Sequence, residues 1–349
     1  MKEQERKGTG FDRFRSAGRK PVNLSPEELI KTGFLDARGA LPLLIQPAIK
    51  EVSPAVWAGN NREFIEAQLL AHGAILFRDF KIDTVERFEE FARAVSPQLL
   101  DYRERSSPRS EVSRGIYTST DHPADQSIHF HNEQSYTHSW PMKLWFYCVK
   151  PAEQGGATPI ADGRKVFQRL DPQITERFMR KRAMYVRNYV GGMGLSWETA
   201  FQTADKSAVE NYCRTAGIDY QWKDDGQLRT RQIFDNIVRH PQTGELVWFE
   251  HVAFFHLSSL EPAVRDAIRA EFAEEDLPFN TFYGDGSEIE ASVLDEIRAA
   301  YRAESTSFSW QENDLLLIDN VLTSHSREPY VGARKILVAM AELYSPQKG

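Results

Sequence analysis

The chain is punctuated by short apolar and aromatic runs, and this spacing constrains the fold more than any other feature. "AILFRDF" (74–80), "MYVRNY" (184–189), "RQIFDNIVRHP" (231–241), "ELVWFEHVAFFH" (245–256), "DLLLIDN" (314–320) and "RKILVAMAEL" (334–343) each have strand length and strand composition. Pro241 to Gly244 forms a turn between two of them. Amphipathic helical patterns flank or separate these runs: "NREFIEAQLLAHG" (61–73), which Gly73 ends, "TVERFEEFARAVS" (84–96), "VFQRLDPQITERFMRKR" (166–182) and "SEIEASVLDEIRAAYRAES" (287–305). "LSPEELI" predicts a further helix start, with Ser25 as N-cap, Pro26 at the first helical position and Glu28 at the third. No strand, Gly-rich turn and helix follow one another as a dinucleotide fold requires, and "GMG" at 192–194 reads as a loop. The pattern predicts a mainly β chain with flanking helices, a β-barrel or jelly roll carrying helical insertions.

Size and charge narrow the function. With 349 residues and 41% hydrophobic content, residues 21–349 suffice for one large domain behind a loose polar segment at 1–20. A net charge of −7 argues against nucleic acid as the main partner, because phosphate contacts need a basic face. Cys148 and Cys213 stand in unrelated contexts and give neither a disulfide framework nor a zinc ribbon. The first residues are charged and lack the apolar core of a secretory signal, and no apolar run reaches membrane-spanning length. The expectation is a cytoplasmic protein with a small-molecule ligand.

"IHFHNEQSY" (128–136) raises the chemical question. In a strand, His129, His131 and Glu133 would share one face, and three such groups on a buried face are costly without partners. A non-haem iron oxygenase needs two histidines and one carboxylate, with the remaining positions open. His131 and Glu133 fit a His-x-Glu pair, and a distant histidine must complete the set. "VLTSHSREPYVGARK" (321–335) offers His325 after an apolar strand, with Arg334 opening the next one. An arginine there needs an anion, and its planar fork suits a carboxylate.

These segments resemble the taurine dioxygenase family of Fe(II)- and 2-oxoglutarate-dependent oxygenases. The motifs are "HNEQSY" (131–136), "PAEQGGATPIADGRKV" (151–166), "WQENDLLLIDN" (310–320) and "HSREPYVGARK" (325–335), with "AHGAILFRDF" (71–80) as the N-terminal strand. Within the family they are most similar to the branch of syringomycin-type aspartyl hydroxylases. The resemblance implies a double-stranded β-helix, the cupin-like jelly roll. It implies His131, Glu133 and His325 as ligands to Fe(II), and Arg334 with Thr158 as the cradle for the distal carboxylate of 2-oxoglutarate. O2 is the second co-substrate. It further implies hydroxylation of an unactivated C–H in an amino acid or an aminoacyl group tethered to an acyl or peptidyl carrier protein, in nonribosomal peptide antibiotic biosynthesis. Three departures stand out: Glu133 replaces the more usual Asp, Asn313 replaces a turn glycine, and the short interval from His325 to Arg334 makes Lys335 a rival for the carboxylate contact.

Competing readings have defined requirements. A zinc hydrolase would use His129, His131 and His325 with Glu133 as base, and a non-catalytic jelly roll would bind a small molecule or a partner. His129 reads as a wall residue near the site, His251 and His256 as structural or wall residues, and His72 as a helix end. Arg327 would line the site. The arginines at 103, 105, 109 and 114 read as a solvated stretch of a long loop from Leu99 to Asp125, or else as anion contacts; "MRKR" (179–182) reads as a solvated helix face.

Overall fold

A computed structural model describes residues 29–35, 41–49, 52–101, 109–119, 122–190 and 194–346. The expected loose segment at 1–20, the helix start at Ser25, Arg103 and Arg105 lie outside the described residues. Ile30, at the edge of that expected helix, begins a strand, Ile30–Phe34.

A large sheet orders the strands Ile30–Phe34, Leu43–Pro47, Ala74–Phe77, Leu315–Asp319, Trp140–Lys150, Lys335–Tyr344, Ile116–Thr118 and Glu111–Ser113. Its centre is antiparallel, and it is buried on both sides, which explains why its strands read as continuous apolar runs. Alternation sorts the side chains. Leu315 and Leu317 pack with Trp145, Tyr147 and Leu337 against the outer helices, while Leu316 and Ile318 pack inward with Leu144, Phe146 and Val338.

The helices behind the sheet form where the sequence predicts. Thr84 caps Val85–Val95 by accepting a hydrogen bond from the Arg87 N–H, and Phe88, Phe91, Ala92 and Val95 form its buried stripe. Arg62–His72 ends at Gly73, whose φ of 74° is left-handed.

A smaller sheet orders Ser305–Thr306, Ile160–Asp162, Thr323–Arg327 and Ile128–His131. Ile160 from it joins the inner core of the large sheet, closing the jelly roll. Between these two sheets the roll has its mouth. Residues 163–304 form an insertion built on a second four-stranded sheet, ordered Asp219–Trp222, Leu228–Phe234, Ala183–Tyr189 and Phe279–Tyr283.

Four local expectations change. The Leu99–Asp125 stretch is not loop throughout, since Glu111–Ser113 and Ile116–Thr118 extend the large sheet. "ELVWFEHVAFFH" is strand only at Leu246–Trp248 and turns helical at Val252–Phe255. His325 does not merely follow a strand; it lies within one, Thr323–Arg327. The strand carrying His129 and His131 stops at His131, so Glu133 sits in a turn, next to Gln134 with φ of 57°. Of "GMG", only Gly194 falls among the described residues. Cys148 and Cys213 are both buried and are not joined in a disulfide. Among the described residues no helix is long and apolar enough to cross a membrane.

Candidate metal centre and co-substrate pocket

His131 and His325 are brought together by sheet register. They are direct partners across two antiparallel strands, and their ring centroids lie 4.3 Å apart. Glu133 reaches the same point from the turn. Asn320 holds that turn as a second backbone would: its Oδ1 accepts from the Glu133 N–H at 2.8 Å, and its Nδ2 donates to the Glu133 carbonyl at 2.9 Å. Asn132 reciprocates by donating to the Asn320 carbonyl at 2.7 Å. Asp319, next in line, accepts the Val321 and Leu322 N–H groups and faces His240 Nε2 at 3.1 Å. The Asn132 and Asn320 links join the turn that carries Glu133 to the turn that leads into the His325 strand.

One ligand atom from each of His131, Glu133 and His325 falls within 4.8 Å of the others, and all three residues are buried. They are the only such group among the described residues. The donor set fits a divalent iron. The His131 ring is oriented by a 2.8 Å contact of its Nδ1 with the His129 carbonyl, the outer-shell arrangement usual for a metal-binding imidazole. His325 Nδ1 is buried without a hydrogen-bond partner. Burial lowers the pKa of both histidines, so each imidazole stays neutral, as a ligand must.

Of the other histidines the sequence singled out, His251 lines the cavity, while His129, His256 and His72 do not. His129 turns away, its Nε2 lying 3.0 Å from the Ser259 carbonyl, so the three-histidine set of a zinc hydrolase is not assembled. His251 contacts Ser135 Oγ at 2.9 Å and meets His131 edge-on at 4.8 Å. His256 accepts from the Ser258 N–H at the start of a short 3-10 turn, and His72 is the last residue of its helix.

Arg334 and Thr158 meet as the sequence suggests. Gly155 and Gly156, with φ of 66° and 70°, turn the chain so that the Gly156 carbonyl accepts from Arg334 Nε at 2.9 Å. Arg334 Nη2 donates to Thr158 Oγ1 at 3.2 Å, and Trp310 Nε1 donates to the same oxygen at 3.0 Å. With both lone pairs engaged, the Thr158 hydroxyl has its proton left for an acceptor in the cavity. Burial, with the nearby Arg327 charge, lowers the Arg334 pKa to about 10. Arg334 forms no ion pair among the described residues. Lys335 is exposed and does not line the cavity. Arg327 does line it, donating to the carbonyls of His122, Pro123 and Gln126.

His131, Glu133, His325, Thr158, Arg327 and Arg334 open onto one cavity of about 430 Å³. Two of its wall residues were not legible as such. Arg109, read with its neighbours as a solvated charge or else as an anion contact for a ligand, is buried and pairs with the protein's own Glu133 Oε2 at 2.7 Å. Arg187, from the insertion, shares a strand face with the buried Tyr185 and Tyr189; a charge at the middle of that alternation was the available signal.

A jelly roll whose mouth carries two histidines and a carboxylate on one side, and a buried cationic cradle on the other, has the layout of a metal-dependent oxygenase. The chain belongs to the taurine catabolism dioxygenase TauD, TfdA family, which it matches over residues 41–340. That is the family of Fe(II)- and 2-oxoglutarate-dependent dioxygenases expected from the motifs, and the chain is an enzyme of that class. It is 39% identical over 282 residues to the dapdiamide synthesis protein DdaC of Enterobacter agglomerans, covering 81% of this chain and 86% of that one. Its fold is shared by solved structures, of which two serve as examples. PvcB of Pseudomonas aeruginosa is 16% identical with a TM-score of 0.52, over 93% of this chain and 94% of that one. AAD-2, solved with Mn(II) and N-oxalylglycine, is 14% identical with a TM-score of 0.53, over 91% and 99%.

Proposed function

We propose that His131, Glu133 and His325 hold Fe(II), that Arg334 and Thr158 hold the distal carboxylate of 2-oxoglutarate, and that the enzyme hydroxylates an unactivated C–H of an amino acid or a carrier-tethered aminoacyl group. The observation that carries this reading is the convergence of the triad and the Arg334–Thr158 cradle on one cavity. With Fe(II), 2-oxoglutarate and O2 bound, the centre supplies an oxidant able to break such a bond, with succinate and carbon dioxide as co-products.

The protein's part is placement. Arg334 presents a guanidinium already fixed by Gly156 and backed by the Tyr330 ring at 5.6 Å, so little side-chain entropy is lost when a carboxylate arrives. Thr158 offers its proton to the second carboxylate oxygen. Phe146 and Phe254 pack on His325 and His131 and restrict how those rings can turn. Glu133 fills the carboxylate position that a halide would need, which favours hydroxylation over halogenation. The biosynthetic setting is supported by DdaC, named for dapdiamide synthesis, and a carrier protein would then be the macromolecular partner.

Anaerobic addition of Fe(II) and 2-oxoglutarate tests this directly. A weak visible charge-transfer band is expected, lost in His131→Ala and in His325→Ala. Absence of the band in the unaltered protein, with no iron uptake, would sink the reading. Succinate release across free amino acids and aminoacyl carrier proteins then identifies the substrate.

A further inference from the structure

The cavity wall is far more cationic than the chain as a whole. Among the described residues it has four arginines, 109, 187, 327 and 334, against the single carboxylate of Glu133, in a protein of net charge −7. Three of the four have hydrogen-bonded partners: Arg109 has Glu133, Arg327 has backbone carbonyls, and Arg334 has Gly156 and Thr158. Arg187 differs. Among the described residues it has neither an ion pair nor a hydrogen bond from its guanidinium, and it is held only by aromatic faces, with Tyr189 at 4.8 Å and Phe255 at 5.9 Å.

The arginines also divide in space. Arg327 lies close enough to Arg334 to depress its pKa, which puts both at the co-substrate end. Arg187 instead lies within electrostatic reach of His251, the ring that leans on His131. Rings on a guanidinium's faces orient it and leave its N–H edge free, and that edge donates two parallel hydrogen bonds to a carboxylate. A half-buried cation of this kind, in a cavity where 2-oxoglutarate and Glu133 leave positive charge in excess, calls for a second anion.

We propose that Arg187 anchors a free carboxylate of the primary substrate and thereby sets which carbon faces the triad. The inference rests on the dioxygenase reading and narrows it: the substrate is a carboxylic acid, either a free amino acid held by its α-carboxylate or a tethered acidic aminoacyl group held by its side-chain carboxylate.

The test uses full-length protein loaded with Mn(II) and N-oxalylglycine and titrated calorimetrically. The titrants are the protein L-amino acids, the matching primary amides, and the N-acetylcysteamine thioesters of aspartate and glutamate. At least one carboxylate is expected to bind, with its amide roughly tenfold weaker or worse. Arg187→Gln should remove that preference, Arg187→Lys should retain part of it, and N-oxalylglycine affinity should hold in both. A free acid as the preferred ligand assigns the α-carboxylate; a thioester assigns the side chain. If no carboxylate is preferred over its amide, or if Arg187→Gln keeps the preference, the proposal is overturned. A charge-transfer band that persists with Fe(II) and 2-oxoglutarate while acid selectivity fails sinks this inference alone; loss of the band in unaltered protein sinks the reading beneath it.

Discussion

Asn320 grips Glu133 by both its backbone N–H and its carbonyl, at 2.8 and 2.9 Å, from a strand end far along the chain. The carboxylate is therefore positioned by a side-chain amide and not by strand pleat. Asn320→Ala strands two backbone groups of Glu133 and the Pro141 carbonyl in a fully buried site. The expected result is about 3 kcal/mol of lost stability and a roughly 10- to 100-fold weaker hold on Fe(II). Denaturant melts and competitive chelator titration measure the two separately. A variant that binds iron normally would show that the turn holds itself.

Arg109 and Glu133 form an ion pair of which both side chains are almost wholly buried. Removing the arginine leaves an uncompensated carboxylate, at a cost of about 3 kcal/mol in the metal-free protein. A bound divalent cation replaces the lost charge. Arg109→Ala should thus melt lower than the unaltered protein without metal and gain more from added Fe(II) or Mn(II), by mass action on the folded state. Equal thermal gains in the two proteins would refute the coupling.

Gly156 is a sensitive lever on co-substrate binding. A Cβ there would come within 3.0 Å of Arg334 Cδ, Tyr330 Cβ and Ala152 Cβ, on a backbone already at positive φ. Gly156→Ala should cost about 1 kcal/mol of stability and displace the guanidinium. Arg334→Ala removes it altogether and should weaken 2-oxoglutarate by about 2 kcal/mol or more, roughly 30-fold in Kd, with Fe(II) affinity kept. Unchanged 2-oxoglutarate affinity would move the contact elsewhere.

Glu250 makes stability depend on pH. It is fully buried behind the site, and desolvation, opposed in part by the Ala253 N–H, raises its pKa to about 7. The unfolded chain releases this proton near the ordinary carboxyl value, while the folded chain keeps it to about 7. The stabilisation is therefore complete below about pH 4.5 and falls as pH rises to about 7, by about 3 kcal/mol. The neighbouring Tyr185 and Tyr301 phenols are raised by burial and do not titrate in that window, whereas burial holds His251 well below its usual value, so its titration in the unfolded chain gives a slope of the opposite sign. Because the lowered pKa values of His131, His251, His256 and His325 act in the opposite sense, Glu250→Gln should make the melting temperature rise more steeply, or fall less, between pH 5 and 7.5 than in the unaltered protein; an identical pH profile in the two proteins would assign the dependence to other groups.

Much of this was legible because the informative patterns are local. "HNEQSY" and "DLLLIDN" declare themselves within a few residues, and Asn313, standing in for a turn glycine, adopts the φ of 72° such a turn requires. The losses occurred where a residue's neighbours are remote in sequence. The same spacing that correctly paired His131 with Glu133 gave the wrong reason, because the strand ends between them. Arg109 looked solvated since its partner lies across the cavity, and nothing in "NDLLLIDN" reveals that Asn320 serves a turn near residue 133.

The insertion has a further consequence. The chain leaves the roll after Ile160–Asp162 and re-enters at Ser305–Thr306, and these two strands are paired neighbours. The excursion is stitched shut at its base like an oversized hairpin, so its length hardly burdens the host: each doubling of a closed loop costs only about 0.6 kcal/mol. The residues proposed to hold iron and 2-oxoglutarate belong to the roll, while Arg187, Phe254 and Phe255 belong to the excursion. Retargeting this enzyme is thus a matter of grafting: a new excursion can be sewn between residues 162 and 305, provided it keeps the stretch from Glu250 to Phe254 that braces Asn132 and His131.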